Sequence, residues 1–222
     1  MVGDEKKISL ADAYSVETPD ESVQLYKDWA DSYDEDFIAA TGYVAFHRAA
    51  KLFLQQPDRP DGPVLDVGCG TGAVGQVLRD GGVAVLDGID ISQEMLEQAG
   101  KKLTEDGSAV YSNLIQADLT ETIALESNSY AGIVSAGTFT HGHLGPECLD
   151  ELWRVAAPGA VCTIGVNAAH FDSQGFADKF ANDVRLNIVS EPDINVIDTF
   201  TQKMENVDEY SLQTIIVVCR VL

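Results

Sequence analysis

At 222 residues, with 45% apolar and 23% charged side chains, the chain reads as a single soluble domain. A domain of that size buries roughly 70% of its unfolded surface and needs no disulfide or metal staple. Fourteen Lys and Arg stand against 36 Asp and Glu, a net charge of −22, which argues against duplex nucleic acid and anionic membrane surfaces, both of which are held through basic side chains.

A small substrate, or a protein with a basic patch, remains open as a partner, and the charge itself is most simply a solubility or salt-tolerance feature. No apolar run approaches the ~20 residues of a membrane helix, and Met1 to Leu10 lacks the apolar core of a secretory signal. Cys69, Cys148, Cys162 and Cys219 lie far apart, the pattern of reduced thiols in a cytoplasmic protein.

Residues 1–20 read as a polar arm. A helical cap is expected over 21–60, in one domain with an α/β core over 61–222. Val23, Tyr26, Ala30, Tyr33 and Phe37 recur at helical steps with Trp29 beside them, and a second helix is predicted from Gly42 to Gln56, stopping before Pro57. From Val64 the period changes. Strands are expected at Val64 to Val67, Val83 to Ile89, Asn113 to Ala117, Tyr130 to Ala136 and Val161 to Val166. Helices at Ala73 to Asp80, Gln93 to Leu103 and Glu147 to Ala156 alternate with them. Such alternation indicates a parallel sheet covered on both faces. A helix near Gln174 to Leu186 and two β-rich stretches, Asn195 to Thr201 and Leu212 to Val221, predict an antiparallel pair closing one sheet edge.

The sharpest local feature is Val64-Leu65-Asp66-Val67-Gly68-Cys69-Gly70-Thr71-Gly72, a strand running into three alternating glycines that open a helix. Glycines there let a ligand touch the main chain, and a helix start adds free N–H groups. Gly68, Gly70 and Ala73 also satisfy the weak dinucleotide fingerprint G-x-G-x-x-A, so this motif alone does not separate the two cofactor classes. Asp90 ends the second strand 18 positions after Gly72, where a doubly wound fold holds ribose hydroxyls. Asp118 ends the third strand, where an adenine amine could be met with Ile91 and Leu119 on the ring faces, and Asp66 is a third acid beside the glycine loop. One strand-end Asp is usually a turn former. Three on consecutive strands are harder to dismiss.

Val64 to Gly72, Gly88 to Ser92, Ala117 to Thr120 and Tyr130 to Gly137 together resemble motifs one to four of the class I S-adenosylmethionine-dependent methyltransferases. The resemblance covers about Tyr26 to Val166, with a looser similarity to the Williams–Beuren-region methyltransferase-like proteins. It implies a Rossmann-like, doubly wound, mostly parallel seven-stranded sheet with an antiparallel C-terminal edge and a helical N-terminal cap. It implies S-adenosylmethionine as cofactor, with Gly68 and Gly70 at its amino-acid moiety and Asp90 on the ribose. Ile91 and Leu119 would take the adenine faces and Asp118 the adenine amine. The backbone at Ala136 would meet the ammonium, and Tyr33 and Trp29 would close a lid. Trp29 reads equally well as a core aromatic.

Methyl transfer from a sulfonium needs alignment more than acid–base machinery, and a hydroxyl or ammonium acceptor needs a base. The fourth strand leads into Thr138-Phe139-Thr140-His141-Gly142-His143, where His141 and His143 are the candidate bases. The alternative is that they pack or cap the following helix. Cys69 reads as a packed side chain. The expected activity is methyl transfer to oxygen or nitrogen of a small molecule, with no nucleic acid or membrane partner, by a cytoplasmic monomer or homodimer. The rivals are an NAD(P)-dependent oxidoreductase and a non-catalytic cofactor-binding protein.

Overall fold

The computed structural model describes residues 12, 16, 18–140, 144–202 and 209–222. Five strands, β1 (Val64–Val67), β2 (Leu86–Asp90), β3 (Asn113–Gln116), β4 (Tyr130–Phe139) and β5 (Ala156–Asn167), pair in parallel. The ribbon of β6 (Asp193–Asp198) and β7 (Gln213–Arg220) adds on antiparallel, giving the order β3-β2-β1-β4-β5-β7-β6. The antiparallel edge expected from the two β-rich stretches is present.

The period of two in a strand sends alternate side chains to opposite faces, and the two resulting cores separate cleanly. Val64, Val161, Ile216 and Val218 pack with Ala49, Phe53, Val74, Leu78 and Leu96 on one face. Leu65, Val67, Cys162, Ile164 and Val217 pack with Leu149, Leu152, Trp153, Phe171, Phe176 and Phe180 on the other. The first face is covered by α2 (Ala45–Leu54), α3 (Ala73–Asp80) and α4 (Gln93–Ala99). The second is covered by α5 (Leu149–Val155), α6 (Ala168–Gln174) and α7 (Phe176–Arg185). Every residue of β1 is buried, because a central strand has helices on both sides. Among the described residues no helix is long and apolar enough to cross a membrane.

Ahead of the sheet runs α1 (Pro19–Trp29), its start capped by Thr18, whose hydroxyl accepts from the Glu21 amide at 3.3 Å. The helical stripe expected through Phe37 does not continue as one helix. The chain turns after Trp29 and resumes as a π-helical segment, Asp34–Ala39. The wider turn lets Asp34 accept from the Thr71 hydroxyl at 2.5 Å and from Lys102 Nζ at 2.7 Å. Phe37 meanwhile stays inward against Trp29, with ring centroids 5.4 Å apart. Two more elements differ from expectation. The helix expected near Gln174 to Leu186 runs over Phe176–Arg185, and an unforeseen helix, Ala168–Gln174, precedes it, with Gly175 at φ +81° between them. Strand β2 starts at Leu86 rather than Val83, Val85 being turned out to solvent.

Candidate active site

The carboxyl ends of β1 to β4 form one rim, and the glycine loop lies at its centre. The amides of Gly68 and Cys69 donate to the Ile89 carbonyl at 2.8 and 3.0 Å, tying the loop to β2. Gly68 has φ +65°, and a Cβ there would lie 2.1 Å from Thr138 Oγ1, so only hydrogen fits. Gly70 has φ +52°, and a Cβ there would meet nothing within 4 Å. Its bare face is part of the wall of an open crevice, the concave, largely apolar kind of surface that small-molecule and cofactor sites use.

Asp90 braces this loop. Its Oδ2 accepts from the Gly70 amide at 2.8 Å and its Oδ1 from the Ser92 amide at 2.9 Å. Burial pushes its carboxyl up, and the two amides partly offset that. Each carboxylate oxygen keeps a further lone pair for a ligand hydroxyl. Asp118 Oδ1 accepts from both the amide and the hydroxyl of Thr120, at 2.8 and 2.7 Å. Its Oδ2 has no hydrogen bond among the described residues.

Of the residues predicted from sequence, Tyr33, Gly68, Gly70, Asp90, Ile91, Asp118, Leu119 and Ala136 all line the crevice. Asp66 and Trp29 do not. Asp66 is fully buried beneath the loop, where the Tyr111 hydroxyl donates to its Oδ2 at 2.7 Å. Burial raises its carboxyl to about 7, with Asp90 adding to the rise and Tyr111 opposing it. Asp66 therefore supports the loop from below, out of ligand reach. Trp29 is 2% exposed and faces Tyr33 and Phe37 edge-on, in the wall of a neighbouring chamber. His141 and His143 lie outside the described residues, while Thr140 and Leu144 on either side of them line the crevice. Burial pushes the Cys69 thiol well up, which keeps it protonated, in line with a packed side chain.

Sequence reasoning missed Tyr26, Tyr43, Phe46 and Met95, which complete the apolar walls. Tyr26 stood on the helical stripe, but a stripe does not say which of its members reaches a crevice. His170 was also missed. It is buried on α6 and bonds the Leu144 carbonyl through Nε2 at 2.8 Å, fixing the chain where it rejoins the rim. Burial lowers its imidazole, so it is neutral there.

The rim residues fit S-adenosylmethionine in the order of the strands. Asp118 and Leu119 follow β3, where an adenine would lie, Asp90 and Ile91 close β2, where the ribose would lie, and Gly68 and Gly70 follow β1, where the amino-acid end would lie. The uncovered face at Gly70 is a cradle that any side chain would fill.

A family model described as "Methyltransferase domain" matches residues 64–159. The chain is 30% identical over 145 residues to methyltransferase-like protein 27 of Homo sapiens, covering 64% of this chain and 56% of that protein. It is 33% identical over 135 residues to the uncharacterized methyltransferase YodH of Bacillus subtilis (strain 168), covering 59% and 53%. The chain thus spans about half the length of the curated relatives it matches. The crystal structure of the [4+2]-cyclase SpnF superposes with a TM-score of 0.67 at 17% identity, over 93% of this chain and 97% of that one, a likeness of fold. With its Rossmann-like sheet and its glycine loop, the chain is similar to the class I S-adenosylmethionine-dependent methyltransferases, and residues 64–159 match their methyltransferase domain.

Proposed function

We propose that the chain transfers a methyl group from S-adenosylmethionine to oxygen or nitrogen of a small-molecule acceptor. The observation that carries this is the crevice with Asp118, Asp90 and the bare Gly70 set along three adjacent strand ends. When bound, the cofactor supplies an electrophilic methyl on a sulfonium, whose carbon–sulfur electron pair leaves with sulfur as the acceptor's lone pair forms the new bond. The chain's own residues hold and align. Asp90 fixes the ribose, the backbone from Gly68 to Gly70 and at Ala136 fixes the amino-acid end, and Tyr33 covers it. Alignment of this kind supplies much of the rate for a displacement with a good leaving group.

His141 and His143 are proposed as the bases that take the acceptor's proton, because the residues flanking them both line the crevice. Residues 21–60 are proposed to cap the 61–222 core, and the protein to work in the cytoplasm as a monomer or homodimer without nucleic acid or membrane partners. The fold alone does not decide the reaction, since a cyclase shares it. Calorimetry with S-adenosylhomocysteine and with NADH tests the cofactor, and mass spectrometry of acceptors incubated with S-adenosylmethionine tests the transfer. Binding of the first ligand and a methylated product are expected. Binding of the dinucleotide alone overturns the reading, and tight cofactor binding with no product across a broad screen leaves a non-catalytic cofactor-binding protein.

A further inference from the structure

A second chamber adjoins the crevice on the side away from Asp118 and Leu119. The two share Tyr26, Tyr33, Tyr43, Gly137 and Thr140. Beyond those residues the chamber follows the sheet onward, to Gly165 and Asn167 on β5, Thr214 on β7, and Thr199 and Phe200 just past β6. Strand order therefore runs from adenine through ribose and amino acid to this chamber, which is where an acceptor must sit to face the methyl. The inference rests on the methyltransferase reading and extends it.

The walls restrict the acceptor. Among the described residues no Asp, Glu, Lys, Arg or His lines the chamber, so among them a charged acceptor leaving water would find no counter-charge. The aromatic side chains of the chamber pack on one another. Trp29 meets Tyr33 and Phe37 at 75° and 72°, and Phe37 meets Phe200 at 88°, all edge to face. The polar floor is also occupied. The hydroxyls of Thr199 and Thr214 bond each other at 2.7 Å. Asn167 donates to the Ser211 carbonyl at 2.7 Å and accepts from the His170 amide at 3.2 Å. The buried indole N–H of Trp29 stays unanswered, with no hydrogen-bond partner among the described residues.

We propose that this chamber binds the methyl acceptor, and that the acceptor is an uncharged phenol-class molecule whose ring packs against Phe200, Phe37 and Tyr43. The test uses the full chain saturated with S-adenosylhomocysteine and three single-ring probes of one size: p-cresol, benzoate and benzylammonium. Calorimetry should find p-cresol bound at least about tenfold more tightly than either ion, and Phe200→Leu should weaken p-cresol by about fivefold or more. S-adenosylhomocysteine affinity should stay the same, since Phe200 does not line the cofactor crevice. The three-probe contrast on the unaltered chain stands whether or not the variant folds. Preference for benzoate or benzylammonium, or equal binding of all three, overturns the acceptor class while leaving the cofactor reading intact. A folded Phe200→Leu chain that binds p-cresol unchanged overturns the location. Failure of S-adenosylhomocysteine to bind at all removes both readings together.

Discussion

Replacing Asp66 with Asn isolates a buried carboxyl whose ionisation opposes folding. In the folded chain Asp66 is without exposure, and its carboxyl is raised from an ordinary 3.8 to about 7, chiefly by burial. The folded chain therefore holds a proton that the unfolded chain has already released between about pH 4 and pH 7. Stability then falls as pH rises across that window, being fully present below it and lost once Asp66 ionises. At about 1.4 kcal/mol for each tenfold change in proton affinity, the loss amounts to at most about 4 kcal/mol. Asn keeps the shape and can still accept the Tyr111 hydroxyl, but it does not titrate. Urea unfolding of both chains at about pH 4 and about pH 8 gives the difference directly, and carboxyls common to both cancel in it. Relative to Asp66→Asn, the native chain should lose several kcal/mol on going to the higher pH. Parallel profiles, differing by under about 1 kcal/mol, would refute the claim that the loop rests on a strained acid.

Asp90→Ala removes the brace on the Gly70 amide and the expected ribose acceptor together. Calorimetry should show S-adenosylhomocysteine weakened by about 1–3 kcal/mol, and an unchanged affinity would take Asp90 out of that role. Gly68→Ala drives a methyl into Thr138 and should destabilise by about 1–3 kcal/mol. Gly70→Ala meets no atom, so it should cost only about 1–2 kcal/mol of backbone strain while weakening cofactor binding markedly. Thermal melts and calorimetry on the pair would show the two losses moving in opposite order. Asp183 is 1% exposed, accepts the Trp153 indole N–H at 2.9 Å and pairs with Lys179. Asp183→Ala should cost about 2–3 kcal/mol in urea unfolding, less than a fully orphaned pair because Asp150 also meets Lys179 at 2.8 Å. His141→Ala should slow turnover by about 100-fold if it is the base, with cofactor affinity intact. Normal turnover would return His141 to a packing role.

The strands were legible because a central parallel strand has no polar face to confuse its pattern. Val64 to Val67 is apolar apart from Asp66, and all of it is buried. The glycine loop and Asp90 were legible because their backbone requirements admit few residue types. Direction was harder to read. Asp66 and Asp90 both sit at strand ends, yet one points beneath the loop at Tyr111 and the other binds the loop from the rim. Sequence spacing carries no sign for that choice. Trp29 was read beside the helical stripe that carries Tyr33, but the turn that follows Trp29 breaks the helical phase between them. Tyr33 therefore reaches the crevice and Trp29 does not. Phe200 gave no local signal, since its role arises from a bridge to Tyr43, 157 positions away.

That bridge separates two inheritances. Tyr43 pairs antiparallel with Phe200, the Val44 amide donates to the Thr199 carbonyl, and the Thr201 amide donates to the Gly42 carbonyl, each of these bonds being 2.9 Å long. The crevice proposed for the methyl donor is lined mostly by one continuous run of chain between Gly68 and Thr140. The far chamber depends instead on a clasp between two remote segments. If the chamber takes the acceptor as proposed, mutations on the Thr199–Phe200 side of that clasp would re-tailor what is accepted while leaving the donor's crevice untouched, since neither residue lines it, so selectivity and cofactor chemistry would be free to diverge at different speeds.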